Sequence, residues 1–485
     1  MTAVHRLGAS LIVGAALASA IVRPAATPAA PTPAPPASTA PAAPAIVSTP
    51  EERLQVYREF RALFDAQKFS DAAVPAERLV AMTEAASGPN DGSLIAPLVN
   101  LATTRYQASD YAGAEQSYLR AIRIIEQKSG GLSKDLLTPI RGLGLTYLAA
   151  GQPEAALDQF RRGVDLVRKV DGLFSENQEE LLDPLVRSYQ LTGQMAEAEQ
   201  EAIYRFRVSE NKFGRNSAEV VPALEKLAQW YSDVGRNTTA RQYFGRAAAI
   251  VQKTAGPADL KMIPPLRGIA NTYRLEYIYG PELAPDQQQP NPGSANMSAT
   301  LGTAPTVPEF NTTTAKPDSS GEGALRSALS IAAAARPNAD PALESVLLLD
   351  LGDWQLLAGD KDAAIQSYRT AWPLLKDLPA PQNTLLAAPS QVFYRMPPAA
   401  YRSQHAKEEN IIEGFVDVEF TVAPDGKTTG EHTVGKNATD AQEKSVLTAV
   451  KKARYRPRFE DGTPVATPGM RLHQPVYTVK NTSKN

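Results

Sequence analysis

The 485-residue sequence contains no cysteine. Disulfides, thiolate nucleophiles, Cys-ligated zinc, iron–sulfur clusters and attachment through an N-terminal lipoprotein cysteine are all excluded. Histidine is nearly as scarce. His5 stands near the start, and His405, His432 and His473 fall near the end. No close pair of them has ligand spacing, so no metal site is expected. There is no G-x-S-x-G elbow, phosphate loop, dinucleotide fingerprint or H-E-x-x-H. The carboxylate pair Glu408-Glu409 sits in a polar connector. The expectation is therefore no catalysis and no cofactor. Charge of one sign is lacking too: 50 Lys+Arg against 52 Asp+Glu leave a net charge of −2. That balance excludes a strongly basic nucleic-acid binder.

Proline, in contrast, is abundant, at 39 residues. Because proline breaks helix and sheet interiors, the excess belongs in linkers and loops. Nine prolines fall between Pro24 and Pro50. The Ala/Pro-rich tract 21–50 cannot form a packed core and favours extended polyproline II, which makes it a spacer. Before it, residues 1–20 have the layout of a secretory signal. Arg6 gives a positive start, Leu7 to Ala20 is apolar, and Ala18-Ser19-Ala20 is a small-x-small cleavage site. The alternative is a short uncleaved anchor, although Leu7–Val22 is briefer than the ~20 residues a spanning helix needs. No second apolar run of that length occurs.

A 42-residue period runs through the middle of the chain. Leu101-Ala102, Leu143-Gly144, Leu185-Val186, Leu227-Ala228 and Ile269-Ala270 mark it. Tyr147, Tyr189, Tyr231 and Tyr273 keep the register, as do Gly151, Gly193 and Gly235, and then Ala114, Ala156, Ala198 and Ala240. Aromatic residues follow at Tyr118, Phe160 and Phe244, with Ala202 as the exception. A further unit is clear at Leu351-Gly352, Gly359, Ala364, Tyr368 and Ala371, and a weaker first one spans 51–88 with Phe60, Phe64 and Ala73. This pattern resembles the tetratricopeptide repeat, with its L-G-x2-Y, turn Gly and A-x3-F. The expectation is an all-α solenoid of about seven repeats over 51–378, interrupted by a disordered insert at 281–322 between the two helices of one repeat. Such a solenoid presents a concave groove lined by first helices. By register, Arg141, Arg187, Gln190, Gln229, Arg267, Asn271 and Arg274 are the candidate peptide groove, suited to an extended or acidic peptide.

A linker is expected at 379–395, and beyond it the period changes. Phe415 to Val422 approaches apolar/polar alternation, as a half-buried strand does. Ala423-Pro424-Asp425-Gly426 reads as a turn. Asp440 to Lys452 reads as a helix with Val446, Leu447 and Val450 on one face. Tyr455 to Phe459 and Met470 to Val479 are strand candidates. The order implies a small α+β domain. Ile412 to Phe420 followed by Pro424-Asp425-Gly426-Lys427 resembles the first hairpin of the TonB C-terminal domain. Ala449 to Pro457 followed by Asp461-Gly462-Thr463-Pro464-Val465 is similar to its helix end and next strand.

This second resemblance covers 396–481 and implies a partner-binding role in the envelope of Gram-negative bacteria. In that family the domain binds outer-membrane transporters, often by adding a strand to a sheet edge. Three positions depart from the family pattern: Met396-Pro397 replaces a Tyr-Pro pair, Ala453 replaces a Trp, and the last strand carries Pro475. The resemblance offers Met396, Pro397, Tyr401, Arg471, His473 and Tyr477 as a candidate partner surface. The basic run Lys451, Lys452, Arg454, Arg456 and Arg458 is a candidate contact for an anionic cell-wall polymer or lipid surface.

Together these features imply a multidomain periplasmic adaptor, not an enzyme. The repeat groove would hold one partner, and the TonB-like domain would hold an envelope or outer-membrane transport partner. The alternative is an energy transducer anchored in the inner membrane by residues 1–20. Nucleic acid is not an expected partner, and the membrane is one only if the N-terminal segment is uncleaved.

Overall fold

The computed structural model describes residues 49–280, 319–335, 340–400 and 410–479. The expected signal peptide and most of the Ala/Pro tract lie outside them, as does 281–318 of the expected insert. The tract's last residue, Pro50, already opens a helix. Thr49 caps it through a capping box with Glu52.

Seven helix pairs follow one another along the chain. They are α1 (Pro50–Asp65) with α2 (Phe69–Ser87), α3 (Ile95–Gln107) with α4 (Tyr111–Ser129), and α5 (Leu137–Ala149) with α6 (Pro153–Asp171). Next come α7 (Glu179–Leu191) with α8 (Met195–Phe213) and α9 (Val221–Asp233) with α10 (Asn237–Thr254). The last two are α11 (Ile263–Tyr279) with α12 (Ser319–Ala334), and α13 (Pro341–Leu357) with α14 (Lys361–Leu375). The helix expected from Gly323 begins at Ser319, so the final residues of the expected insert are its first turn.

The 42-residue period has a packing cause. Ala114, Ala156, Ala198 and Ala240 are completely buried, as are Leu143, Leu185 and Leu227. Aromatic rings lie flat on glycine. A Cβ on Gly142 would meet the Tyr118 ring at 2.3 Å, and one on Gly268 would meet Phe244 at 2.4 Å. The second helices α2, α4, α6 and α8 each stop at a glycine of positive φ, as at Gly172 with φ 90°. Glycine alone adopts that conformation without strain.

Ion pairs repeat with the same period. Glu84–Arg120, Glu126–Arg162 and Glu210–Arg246 join successive second helices. In the third repeat Arg168 takes the Glu position and pairs instead with Glu201 at 2.7 Å, its guanidinium lying over the Tyr204 ring. Exposed pairs of this kind contribute at most ~1 kcal/mol each, so burial of the Leu, Ala and aromatic positions dominates.

The C-terminal region is α+β. β2 (Ile411–Val422) lies between β3 (Thr428–Asn437) and β7 (Thr467–Val479), all antiparallel. Helix α15 (Asp440–Lys452), capped by Thr439 and Gln442, covers one face. Val416, Val418, Phe420, Val422, Val446 and Val450 form the core there. The strand expected over Tyr455 to Phe459 is broken at Pro457 into β4 (Arg454–Arg456) and β5 (Arg458–Glu460). The short β6 (Thr463–Val465) pairs back on β5.

Residues 379–395, expected as a linker, are packed. β1 (Ser390–Phe393) pairs antiparallel with β4. Leu386 and Val392 are buried in one cluster with Leu356, Tyr368 and Leu375 of the last helix pair and Phe459 of β5. Trp372 stacks on Phe459 with centroids 6.3 Å apart. The region carries enough apolar surface to be drawn into a core, which its prolines concealed in the sequence.

Candidate protein-interaction surfaces

The first helices α5, α7, α9 and α11 carry the expected groove residues, at positions that share the 42-residue register. Their charges are mostly satisfied from within. Arg141 pairs with Glu180 of the next first helix. Arg267 pairs with Asp350 at 2.8 Å, and Arg274 Nη1 stands 4.0 Å from Asp353. Gln229 donates to Asp233 at 2.6 Å. Gln190 and Asn271 are half-buried, and Arg187 is exposed on α7.

Acidic residues alternate with the cations at one register position: Arg141, Asp183, Glu225 and Arg267. Asp183 is held by Arg205 and Lys226. Burial pushes Glu225 up to about 7. Burial also pushes Asp233 above the usual carboxylate range, against the hydrogen bond from Gln229. The surface is thus of mixed sign, not cationic. Composition did not show this, but the 42-residue register contains it, since Asp183 and Glu225 fall where Arg141 and Arg267 fall.

The C-terminal candidates divide between two faces. Arg471, His473 and Tyr477 alternate with buried Gln474 and Val476 along β7, so they point away from α15. Arg471 pairs with Glu419 at 3.0 Å. His473 Nδ1 lies 2.6 Å from Asp417, and its ring stacks on Phe415 at 5.3 Å. Met396 and Pro397 lie on the other side, against α15. Tyr401 falls outside the described residues. β3 and β7 each pair only with β2 among the described residues, so they are the outer strands of this sheet, and the Tyr477 carbonyl accepts from Gln442 of α15. Pro475 removes one donor from the β7 edge.

Where the two regions meet, an ion pair is buried. Arg456 of β4 donates from Nε and Nη2 to the Asp353 carboxylate on α13, at 2.9 and 2.7 Å. The Tyr368 hydroxyl donates to the same carboxylate at 2.9 Å. Burial holds that hydroxyl well above its ordinary pKa, so it stays a donor. Arg395 donates to the carbonyls of Tyr277 and Ile278 in the last turn of α11. That turn is the negative end of the helix, which suits a guanidinium. By its place in the repeat, Asp353 corresponds to Arg187, Gln229 and Asn271, so the C-terminal region is anchored at the same register position as those three candidates.

Among the described residues, no group of three His, Asp or Glu could hold a metal. No helix among them is long and apolar enough to cross a membrane.

Residues 93–169 and 223–259 match tetratricopeptide repeat models, and residues 403–472 match the model for the Gram-negative bacterial TonB protein C-terminal. The chain carries tetratricopeptide repeats and a TonB C-terminal domain. The repeats imply protein–protein interaction, and the TonB C-terminal domain implies an envelope, transport-related role. Both are interaction or transduction domains and not catalytic ones. No curated protein matches the chain. Among solved structures, the chain is similar to the kinesin light chain nearly identical TPR-like repeats of Podosopora anserina. That match has 18% identity and a TM-score of 0.39, over 43% of this chain and 99% of that one. It is also similar to the C-terminal part of a TPR repeat-containing protein from Cytophaga hutchinsonii. Here identity is 12% and the TM-score 0.38, over 66% of this chain and 95% of that one.

Proposed function

We propose that this protein is a periplasmic adaptor whose tetratricopeptide solenoid holds one protein partner while its TonB C-terminal domain holds another, an outer-membrane transport component. The carrying observation is the Arg456–Asp353 pair. It fixes the sheet to the last repeat, so two binding modules travel as one body. On the solenoid side, the mixed-sign groove row suits a polar peptide that brings both signs of charge. On the domain side, β3 and β7 are outer strands of the sheet, a position that suits strand addition.

Site-specific photo-crosslinking in cells tests the reading, with the reactive side chain placed at Arg187 or at Tyr477. The expected result is two different covalent partners, recovered from the envelope fraction, with the mature chain beginning at Ile21. Recovery of the chain from the cytoplasm, or the same partner at both positions, would sink it.

A further inference from the structure

The basic run at the end of α15 does not act as one patch. Arg456 is consumed by Asp353. Arg454 Nη1 donates to the carbonyls of Lys452 and Ala453. Arg458 pairs with Glu460 at 2.5 Å. Lys451 and Lys452 stay exposed, and Lys444, two turns earlier on the same helix, joins them. No carboxylate among the described residues lies within ion-pair distance of Lys444 or Lys452. Cations in a last turn complement the helix dipole, which accounts for Lys451 and Lys452. It does not account for Lys444, near mid-helix.

Lys444 and Lys452 border a groove of about 480 Å³. Ala441, Ser445 and Ala449 form its floor, and Phe393, Met396 and Pro397 form the opposite wall. The lining residues all belong to the C-terminal region, between Phe393 and Lys452. Among the described residues its lining holds no carboxylate; Lys444 and Lys452 border it, while Arg395 is engaged by the α11 carbonyls. Lys444 also borders the neighbouring hollow on the same helix, which Glu431, Asp440 and Glu443 line, whereas Lys452 borders the groove alone.

We infer that this groove docks a short extended acidic segment of a partner protein, with its carboxylates on Lys444 and Lys452 and an apolar side chain between Met396 and Ala449. The spacing sets the motif. Eight residues of helix separate the two amines by about 12 Å at ~1.5 Å per residue. An extended chain covers that distance in about four residues at ~3.3 Å each. The segment therefore carries acidic residues about four positions apart, with an apolar residue between them. This surface takes in Met396 and Pro397 of the candidate partner surface and lies apart from the solenoid and from Arg471, His473 and Tyr477 on β7.

The test is fluorescence anisotropy of the full chain with a labelled peptide repeating Glu-Glu-Leu-Pro, with a Lys-Lys-Leu-Pro repeat as control. The acidic peptide is expected to bind and the basic one not to. The double variant Lys444→Glu/Lys452→Glu should weaken binding at least about tenfold, because like charges then face each other. Ala449→Trp, which fills the groove without changing its charge, should weaken it comparably. Thermal unfolding of both variants should match the parent. Arg187→Glu should leave binding unchanged; loss there would move the peptide to the solenoid groove and overturn this assignment while leaving the adaptor reading intact. Absence of binding, or equal binding to the lysine variant, would also overturn it. Attachment to phosphatidylglycerol vesicles that depends on the lysines but ignores Ala449→Trp would assign the surface to lipid instead.

Discussion

Arg456 and Asp353, 103 residues apart in the chain, join through two charge-assisted hydrogen bonds of 2.9 and 2.7 Å with little of either side chain exposed. Breaking such a pair from one side strands a charge in a low-dielectric environment. Arg456→Ala should therefore cost ~3–5 kcal/mol, whereas a double replacement by apolar residues should recover most of that. Urea unfolding of the single and double variants measures it. An unchanged midpoint for Arg456→Ala would mean that the two regions are not docked in solution.

Ala240 tests the repeat packing. It is fully buried on α10, at a position that is also a buried alanine at Ala72, Ala114, Ala156, Ala198 and Ala364. Ala240→Arg should destabilise by at least ~3 kcal/mol, from overpacking and an unpaired charge together. A thermal midpoint equal to the parent's would refute the 42-residue register.

Glu225 gives the stability a pH dependence. Burial raises its pKa from an ordinary 4.5 to about 7 in the folded protein. Between those values the folded chain holds a proton that the unfolded chain has released. The contribution is fully present below 4.5 and is lost as pH rises through about 7. Denaturant midpoints measured across that window should fall with rising pH, and Glu225→Gln should flatten the profile. A parent profile unchanged by the substitution would show that Glu225 is solvated.

Gly426 marks the β2–β3 turn. Its φ is 80°, and a Cβ there would lie 2.5 Å from the Tyr455 carbonyl oxygen. Gly426→Ala should cost roughly 1–3 kcal/mol through strain and displacement of β4. A loss confined to a few tenths of a kcal/mol would indicate that the turn relaxes freely.

Periodic features were the legible ones. The 42-residue spacing exposed the solenoid, and Asp440 to Lys452 could be read as a helix from its apolar face and cap. The docking between the two regions was not legible, because it rests on single residues with no recurring spacing. Nothing in the sequence sets Arg456 apart from Arg454 or Arg458, yet only Arg456 is buried. The groove's charge was misjudged for a related reason. Counting arginines on first helices overlooked Glu180, Asp350 and Asp353, which face Arg141, Arg267 and Arg274 from neighbouring helices. Leu386 and Val392 were hidden among prolines, so a packed segment looked like a tether.

The shared cluster of Leu356, Tyr368, Leu375 and Phe459 bears on how the chain can be divided. Stacked repeats need a polar end plate, and here the last repeat ends on an aromatic and leucine surface covered by Leu386 and Val392 of the 379–395 segment together with Phe459 of the C-terminal domain. A solenoid cut after Leu375 would present that surface to water and tend to aggregate. The C-terminal domain is thus not a removable passenger. The two halves have to be inherited, expressed and studied together, and exchanging the domain with that of another protein would succeed only if Arg456 and Phe459 came with it.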